Sequence, residues 1–350
     1  MKMCNLRSVK IEGISACVPN NEFNILDDKE LYNGDVSRIK RVVESSGFLK
    51  RRVCDVDVMT SDLCYKAALD VIKGTNINIE DIDAILFLSY TPDYLMPATS
   101  YVLHKRLNLR QDCIVMDIPQ ACSGFEIGLF QAGLLINSGC KKVLLLVGDS
   151  FSKFKDMFRN HTAPVFGDAG SATIVSYDPD ADDSYFNIYS DGLNYDSLIC
   201  ENGGFRNPPM SQNFYEDGDF VYKSKMDGGR IFNFTLDKIS PSIIDLLNLS
   251  KTSKDDIDYF IMHQANKFIL QNIARQIGVE TDKIPMTTLS KYGNQCGASI
   301  PCTICDVLQH VVSSRKLRVM LSGFGVGLSW ANALVSIDNI YCSKILDYKG

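Results

Sequence analysis

The chain repeats itself at long range. The stretch NIEDIDAILF at residues 78–87 is matched by SKDDIDYFIM at residues 253–262, and both contain Asp-Ile-Asp followed by a short apolar run. Two further pairs follow in the same order: KVLLLVG at 142–148 with RVMLSG at 318–323, and SATIVS at 171–176 with NALVS at 332–336. Three matches in one order are not expected by chance, so we predict a fold built from two similar halves.

The matched runs are short, β-branched and apolar without strict alternation, which is typical of strands covered on both faces. Between them lie stretches with helical periodicity, at residues 61–73, 124–137, 229–247, 265–277 and 298–312. Strands that alternate with helices indicate an α/β fold. The turn-rich stretch DPDADD at 178–183 separates the halves. We therefore predict an N-terminal half at residues 1–178 and a C-terminal half at residues 179–350.

One segment of the second half has no clear period. Residues 191–227 are rich in Gly, Asn, Pro and aromatic side chains. Such an excursion either caps a site or is a structural loop, and the sequence favours neither interpretation over the other.

Composition excludes several classes of protein. Of the 350 residues, 45% are hydrophobic and 22% are charged, which excludes a disordered chain. The net charge of −6 lacks the basic footprint of a nucleic-acid-binding protein. No run of about eighteen apolar residues is present, so a membrane span is not expected.

The twelve cysteines fall mostly singly and inside apolar runs. The first twenty residues contain no sustained apolar segment of a signal peptide, so we expect reduced thiols in a cytoplasmic protein. Cys296, Cys302 and Cys305 cluster, but no second pair supplies further ligands at zinc-site spacing. We interpret these three as helix-packing thiols rather than metal ligands.

Cys122 is the best candidate nucleophile. It lies between the strand-like run at 113–118 and the helix from Gly124, with the small neighbours Ala121 and Ser123. A thiol at a helix N-terminus is near the positive end of the helix dipole, which favours the thiolate. A small buried side chain is the competing interpretation, and position alone does not decide between them.

His263 and Asn294 lie at equivalent places in the second half. His263 directly follows the predicted strand at 258–262, and functional groups gather at such strand ends. The segment around Asn294 aligns with that around Cys122, so pseudo-twofold symmetry brings both junctions to one cleft. The remaining histidines are predicted to be surface or packing residues: His104, His161 and His310. The glycine-rich turn at 323–330 lacks the Lys-Ser/Thr of a phosphate loop and suits an oxyanion site.

With these motifs, the chain resembles the β-ketoacyl-acyl-carrier-protein synthase III family of the thiolase superfamily. The resemblance covers residues 9–337 and rests on motifs in fixed order: GFLKRR at 47–52, ACSGF at 121–125, FGDAGSA at 166–172, MDGGRIFNF at 226–234, HQAN at 263–266, YGNQCGASIP at 292–301 and GFGVGLSW at 323–330. It implies a thiolase-like five-layered α/β/α/β/α sandwich, a homodimer, an acyl-carrier-protein partner and a place in fatty acid biosynthesis. No metal or organic cofactor is implied.

The resemblance also implies a role for each site residue. Cys122 would be acylated by a thioester, while His263 and Asn294 would act as neutral donors to the carbonyl of malonyl thioester as carbon dioxide leaves. The enolate would then attack acyl-Cys122. The backbone N–H groups of Cys122 and Val326 would form the oxyanion hole. Substrate- or carrier-binding positions would be Arg41, Met96, Asn266, Lys267 and Phe324.

Two positions depart from the family pattern. Arg41 stands where housekeeping members carry a Trp that stacks on the adenine of coenzyme A, and Ser45 replaces the Arg of their RTGI motif. We therefore expect the acyl group to arrive on a carrier protein rather than on free coenzyme A. Met96 stands where these members often carry a Phe that enters the partner subunit's acyl pocket, which suits a longer or branched acyl chain.

Two other functions remain open on the sequence. One is an acyltransferase of the same fold that moves the Cys122-bound acyl group to an alcohol or amine, with His263 as general base. The other is a non-catalytic partner subunit. Because Cys122, His263 and Asn294 are all present, the sequence favours the condensing enzyme.

Overall fold

The computed structural model describes residues 3–154, 165–209, 215–216, 219–311 and 315–349. The strands are β1 (Cys4–Leu6), β2 (Val9–Pro19), β3 (Asn21–Asn24), β4 (Lys50–Val53), β5 (Ala84–Leu88), β6 (Ile114–Ile118), β7 (Lys142–Asp149), β8 (Ala169–Tyr177), β9 (Ser184–Ser190), β10 (Leu198–Cys200), β11 (Tyr215–Glu216), β12 (Asp219–Phe220), β13 (Ser224–Met226), β14 (Tyr259–Met262), β15 (Leu317–Gly325), β16 (Ser329–Ile337), β17 (Tyr341–Cys342) and β18 (Leu346–Tyr348). The α-helices are α1 (Val36–Ser46), α2 (Thr60–Thr75), α3 (Thr99–Arg106), α4 (Gly124–Asn137), α5 (Gly228–Phe234), α6 (Ser240–Leu249), α7 (Lys267–Ile277), α8 (Thr287–Tyr292) and α9 (Ser299–Leu308).

The predicted repeat is confirmed as a repeat of sheet topology. The seven-stranded sheet contains the order β2–β8–β7–β5–β6, and the five-stranded sheet contains β9–β16–β15–β14. In the first sheet β5 and β7 are parallel, β7 and β8 antiparallel, and β8 and β2 antiparallel. The second sheet repeats these directions in β14–β15, β15–β16 and β16–β9. The three matched pairs of sequence runs therefore occupy equivalent strands.

The strands at each end of the chain join the sheet formed mainly by the opposite half. β1 pairs with β9 in the five-stranded sheet, whereas β17 and β18 both pair with β2 in the seven-stranded sheet. Each sheet thus holds strands from both ends of the chain. The boundary between residues 178 and 179 stays a prediction.

Five layers result, as the predicted sandwich requires. Helices α4 and α9 lie between the two sheets, where α4 contacts β5 and β7 on one side and β15 and β16 on the other. Helix α2 covers the outer face of the seven-stranded sheet, and α6 covers that of the five-stranded sheet. The α/β/α/β/α fold is confirmed.

The central helices are apolar because they are covered on both sides. In α4, Phe125, Leu129, Ala132 and Ile136 are buried against the two sheets, and no face of the helix is predominantly polar. The residues just before α4 and α9 are those around Cys122 and Asn294. The middle layer therefore places these two junctions side by side.

The predicted helices are found with small differences at their ends. The predicted stretch 229–247 consists of α5, a π-helical turn (Thr235–Ile239) and α6. The predicted helix end at Val312 and the predicted surface residue His161 lie outside the described residues. His104 lies in α3, where its Nε2 bonds to the Arg110 carbonyl at 2.8 Å. No helix in the described ranges is long and apolar enough to cross a bilayer.

Candidate active site

Two cavities share Cys122 as a lining residue. One, of about 350 Å³, is lined by Cys122, Cys296 and Val326 together with a largely apolar wall. The other, of about 310 Å³, is lined by Cys122, His263 and Asn294. The structure therefore brings the three predicted catalytic residues together, and Cys122 is common to both cavities.

Local sequence explains the placement of Cys122. Strand β6 ends at Ile118 and α4 begins at Gly124, so Cys122 lies in the turn that leads from the end of a parallel strand into a helix. The turn is held by the Gly124 N–H, which donates to the Ala121 carbonyl at 2.6 Å. A Cβ on Gly325 would lie 2.7 Å from the Cys122 sulfur. Gly325 therefore leaves the room that the thiol occupies.

His263 follows β14, as predicted, and its ring orientation is fixed by a hydroxyl. The Ser299 hydroxyl donates to the Cys296 carbonyl at 2.8 Å, so its oxygen is the acceptor for the Nδ1–H of His263 at 2.9 Å. Phe324 packs edge-on against the imidazole, with ring centroids 5.5 Å apart. Because Nδ1 is used in this way, Nε2 is the nitrogen left for a partner in the cavity that His263 and Cys122 both line.

Asn294 is held by its backbone and by one end of its amide. Its N–H donates to the Val165 carbonyl at 2.7 Å, and its carbonyl accepts from the Gly167 N–H at 3.0 Å. The side-chain Oδ1 accepts from the Cys296 N–H at 2.9 Å. This orientation leaves the Asn294 Nδ2 hydrogens as donors to the cavity that the residue lines.

The surroundings of Cys122 favour its thiolate. The pKa of Cys122 reflects hydrogen bonding from the Cys296 thiol, the His263 imidazole and the Val326 backbone N–H. These bonds, with the charge of His263, hold the pKa of Cys122 well below its ordinary value, although burial acts in the opposite direction. Burial raises the pKa of Cys296 well above its usual range, so this thiol stays protonated and is able to donate.

Cys296 is the residue that the sequence analysis missed. It precedes α9 rather than packing within it, and it forms a small buried cluster with Ala121 and Cys122. Cys302 and Cys305, by contrast, lie in α9 and belong to the main core, as predicted. The available signal was its position, since Cys296 lies two residues after Asn294 in a segment already expected to face Cys122.

The predicted binding residues separate into two groups. Asn266 and Phe324 line the cavity that also contains His263. Arg41 on α1 and Lys267 at the start of α7 are exposed, and α1 packs against α7. Met96, which is 78% exposed, lies before α3 and lines neither cavity of this chain.

The excursion at 191–227 covers the site, which supports the first of its two interpretations. Within its described residues, β10 pairs with β13. Tyr195, Leu198, Ile199 and Cys200 line the cavity of about 350 Å³ together with Cys122. Across that cavity stand further aromatic side chains: Tyr90, Phe151, Phe154 and Phe166. This wall suits an apolar group attached to the Cys122 sulfur.

No group of three or more His, Cys, Asp or Glu side chains in the described part of the chain is arranged to hold a metal ion. The chemistry available in the site is that of a thiolate, an imidazole, an amide and backbone N–H groups. Such a set can carry an acyl group and stabilise negative charge on a carbonyl oxygen.

Comparisons with known proteins point to one family. Two family models match, 3-oxoacyl-[acyl-carrier-protein (ACP)] synthase III over residues 116–192 and its C-terminal counterpart over residues 247–337. The chain is 33% identical over 298 residues to beta-ketoacyl-[acyl-carrier-protein] synthase III of Streptococcus gordonii, which covers 84% of this chain and 90% of that protein. It is 31% identical over 356 residues to the protein of the same name from Rhodopirellula baltica, covering 95% of this chain and 99% of that protein.

A solved structure agrees with these relatives. The 3-oxoacyl-(acyl-carrier protein) synthase of Burkholderia xenovorans LB400 superposes with a TM-score of 0.92 at 32% sequence identity. The superposition covers 99% of each chain. The similarity therefore extends over both halves of the fold and not only over the motifs around the site.

Proposed function

The chain belongs to the 3-oxoacyl-[acyl-carrier-protein] synthase III family of condensing enzymes, and from this we propose that it joins an acyl group to malonyl-acyl-carrier protein with loss of carbon dioxide. The product would be a 3-ketoacyl-acyl-carrier protein. The observation that carries the proposal is the meeting of Cys122, His263 and Asn294 around two cavities that share Cys122.

The first step is acylation of Cys122. The thiolate attacks the carbonyl carbon of the acyl thioester, and the backbone N–H groups of Cys122 and Val326 would receive the developing oxyanion. Support comes from Val326, which lines the same cavity as Cys122 and whose backbone N–H lowers the pKa of the Cys122 thiol. The tetrahedral intermediate expels the carrier thiolate, which takes a proton from solvent. The acyl chain then occupies the aromatic-walled cavity.

The second step forms the carbon–carbon bond. Malonyl thioester would enter the cavity lined by His263 and Asn294, where Nε2–H and Nδ2–H donate to its thioester carbonyl. The bond between the carboxylate and the α-carbon breaks, and the carboxylate leaves as carbon dioxide. The electron pair of that bond forms the enolate. The enolate carbon attacks acyl-Cys122, and collapse of that intermediate releases the product and the Cys122 thiolate.

The hydrogen bonds of Ser299 change the expected protonation of His263. Because Nδ1 donates to Ser299, Nε2 can donate to a carbonyl only when the ring carries both protons. We therefore propose an imidazolium, rather than the neutral imidazole expected above, during decarboxylation. It would be paired with the thiolate before acylation and with the enolate afterwards, so the cycle consumes one proton from solvent and regenerates the ion pair.

The acyl donor is proposed to be an acyl-carrier protein. Arg41 is exposed on α1 and does not offer the aromatic face expected for an adenine clamp. Arg38, Lys40 and Lys267 are also exposed on α1 and α7, the two helices that flank the cavity containing His263. Cationic groups at this place suit an acidic carrier protein.

A homodimer and a cytoplasmic location complete the proposal. Strand β6 is an edge strand of the seven-stranded sheet, and its Ile114 and Met116 side chains are each 42% exposed. Leu95 and Met96 extend this apolar surface at 81% and 78% exposure. An apolar sheet edge of this kind suits pairing with a second copy. Buried cysteines such as Cys17, Cys64 and Cys302 are reduced thiols, as in proteins of a reducing compartment.

The test is intact-protein mass spectrometry. Wild type and Cys122→Ala are incubated with matched acyl-coenzyme A and acyl-carrier thioesters, and malonyl-carrier protein is then added. We expect an acyl adduct on wild type only, formed faster from the carrier thioester. Addition of malonyl-carrier protein should remove the adduct and release carbon dioxide and a 3-ketoacyl product.

Other outcomes would contradict parts of the proposal. An adduct that survives malonyl-carrier protein but leaves with an alcohol or amine would indicate an acyltransferase. An adduct formed equally fast from coenzyme A would contradict the proposed donor. No adduct from donors of short, long and branched chains would contradict the condensing function. The family relationship favours neither the acyltransferase nor a non-catalytic partner subunit.

A further inference from the structure

Cys296 is fixed in place by both sides of its own backbone. Its N–H donates to the Asn294 Oδ1 at 2.9 Å, and its carbonyl accepts from the Ser299 hydroxyl at 2.8 Å. The next residue, Gly297, has no room for a Cβ, because such an atom would lie 2.7 Å from the Ala121 carbonyl oxygen. The loop before α9 therefore packs directly on the turn that carries Cys122.

The remaining polar group of Cys296 is its thiol, which packs with Cys122 in one small buried cluster and lowers the pKa of the Cys122 thiol. Only 2% of Cys296 is exposed, and it lines the same cavity as Cys122. A thiol has one hydrogen to donate, and a thiolate is an acceptor only. Since Cys122 is the sulfur whose surroundings favour the charged form, Cys296 is the donor and Cys122 the acceptor.

We propose that Cys296 is a second functional thiol of the active site. Its S–H group donates a hydrogen bond to Cys122 and so maintains the nucleophile as a thiolate. The proposal rests on the proposed function in one respect, namely that Cys122 is the acylated residue. In the free enzyme the bond increases the population of attacking thiolate. At the end of the cycle the same donor stabilises the Cys122 thiolate as the C–S bond of the tetrahedral intermediate breaks and the ketone carbonyl forms.

A packing role alone does not account for this arrangement. Cys296 has a φ of 49°, in the left-handed region where non-glycine residues are uncommon. Cys296 is held by its left-handed backbone, by its two hydrogen-bonded backbone groups and by its contact with Cys122. Together these keep its sulfur against the sulfur of Cys122. Alanine would fill most of the same space but would remove the donor.

The test measures how readily Cys122 reacts with iodoacetamide as pH is varied. Peptide mass spectrometry separates carbamidomethylation of Cys122 from that of the other cysteines, so the result does not depend on any acyl-transfer activity. For Cys296→Ala we expect the pKa of Cys122 to rise by about one, which is about a tenfold smaller thiolate fraction below the transition. For Cys296→Ser, which keeps a donor, we expect the pKa to stay near that of wild type.

Two controls separate the donor from general disturbance. Cys302→Ala removes a buried core thiol of α9 and should leave the titration of Cys122 unchanged. The other titratable groups near the two sulfurs are present in every variant: His263, Asp149, Asp168 and Tyr90. A Cys122 titration that is the same in wild type and Cys296→Ala would overturn the proposal. An equal rise in Cys296→Ala and Cys296→Ser would overturn it too.

An infrared measurement covers the case in which Cys296→Ala does not fold. The S–H stretching band of Cys296 should move to higher frequency in Cys122→Ala, because its acceptor has been removed. A difference spectrum between wild type and Cys122→Ala cancels the thiols that the two proteins share. A Cys296 band that does not move would show that the bond is absent. Failure of the condensing reaction itself would leave both measurements interpretable.

Discussion

His263 and Ser299 form a hydrogen-bonded pair whose contribution to catalysis can be measured separately. Ser299 is a buried side chain that touches the imidazole but lines neither cavity, so it is a positioning residue. Its hydroxyl accepts from Nδ1 of His263 and donates to the Cys296 carbonyl. One hydroxyl therefore sets both the tautomer of His263 and the position of the loop that carries Cys296.

Replacement of Ser299 by alanine should lower kcat more than it changes KM. The Nδ1–H of His263 would be buried without an acceptor, and such an unpaired group costs about 1–3 kcal/mol. We expect kcat to fall at least tenfold, because the ring would lose the protonated, oriented state proposed for decarboxylation. Nitrogen NMR of the labelled imidazole should show the altered proton distribution directly.

Two further variants complete that experiment. Ser299→Thr keeps the hydroxyl and should recover most of the activity. Ser290→Ala, at a half-buried serine whose hydroxyl donates to the Thr287 carbonyl, should behave as wild type. Unchanged kcat and unchanged nitrogen shifts in Ser299→Ala would show that the hydroxyl does not position the ring.

Helix α4, which follows the nucleophile Cys122, contains a buried acid, Glu126. Glu126 is fully buried, and neither of its carboxyl oxygens has a hydrogen-bond partner among the described residues. Burial raises the pKa of Glu126 well above its ordinary value, so the carboxyl is protonated in the folded protein. The buried carboxyl on this helix therefore favours its neutral form.

Glutamine at position 126 should make the protein more stable at neutral and alkaline pH. A raised carboxyl pKa contributes stability that is fully present below the unfolded pKa, about 4.3, and is lost as pH rises toward the folded pKa. Each pH unit in that window lowers the free energy of unfolding by about 1.4 kcal/mol. Glu126→Gln cannot ionise and escapes this loss.

Urea unfolding between about pH 5 and pH 8 checks this expectation. Wild type should lose stability with rising pH faster than Glu126→Gln does. Asp149 and Asp168, whose pKa values are also raised by burial, remain in both proteins and cancel in the difference. The exposed Glu80→Gln is the matched control. Parallel stability curves for wild type and Glu126→Gln would contradict the argument.

At the scale of the whole molecule, the seven-stranded sheet ends in an apolar edge. β6 pairs with β5 on one side, and no strand in the described part of the chain pairs with its other side. Ile114 and Met116 are half-exposed on this strand, and Tyr101 on the neighbouring helix α3 is 57% exposed. Such an edge is normally covered by a partner or protected by charge.

Charged residues on β6 should therefore separate the proposed dimer. For Ile114→Lys combined with Met116→Lys, we expect sedimentation at the mass of one 39.0 kDa chain, whereas wild type should sediment at twice that mass. The matched control is Leu249→Lys, at an exposed side chain at the end of α6, the helix that covers the other, five-stranded sheet. A monomeric wild type, or a double variant that stays dimeric, would place the interface elsewhere.

Much of this molecule was predictable because the relevant information is local. The strands of the repeat, the apolar character of α4 and the junctions before Gly124 and after Met262 follow from hydrophobic patterns and small residues next to one another in the chain. Cys122, His263 and Asn294 each lie at such a junction. Their convergence followed from the repeat, since equivalent junctions of two similar halves meet near the pseudo-twofold axis.

The contacts within the site were decided by the tertiary structure alone. Cys296 was interpreted as a packing thiol because it is close in sequence to Cys302 and Cys305, yet its sulfur meets one from residue 122. Ser299 offered no pattern that pointed to His263. The sequence by itself therefore predicted two similar α/β halves and three candidate catalytic residues, through patterns that repeat along the chain. Which side chains touch across that trio depends on how closely two helix N-termini approach, and no local pattern encodes that distance.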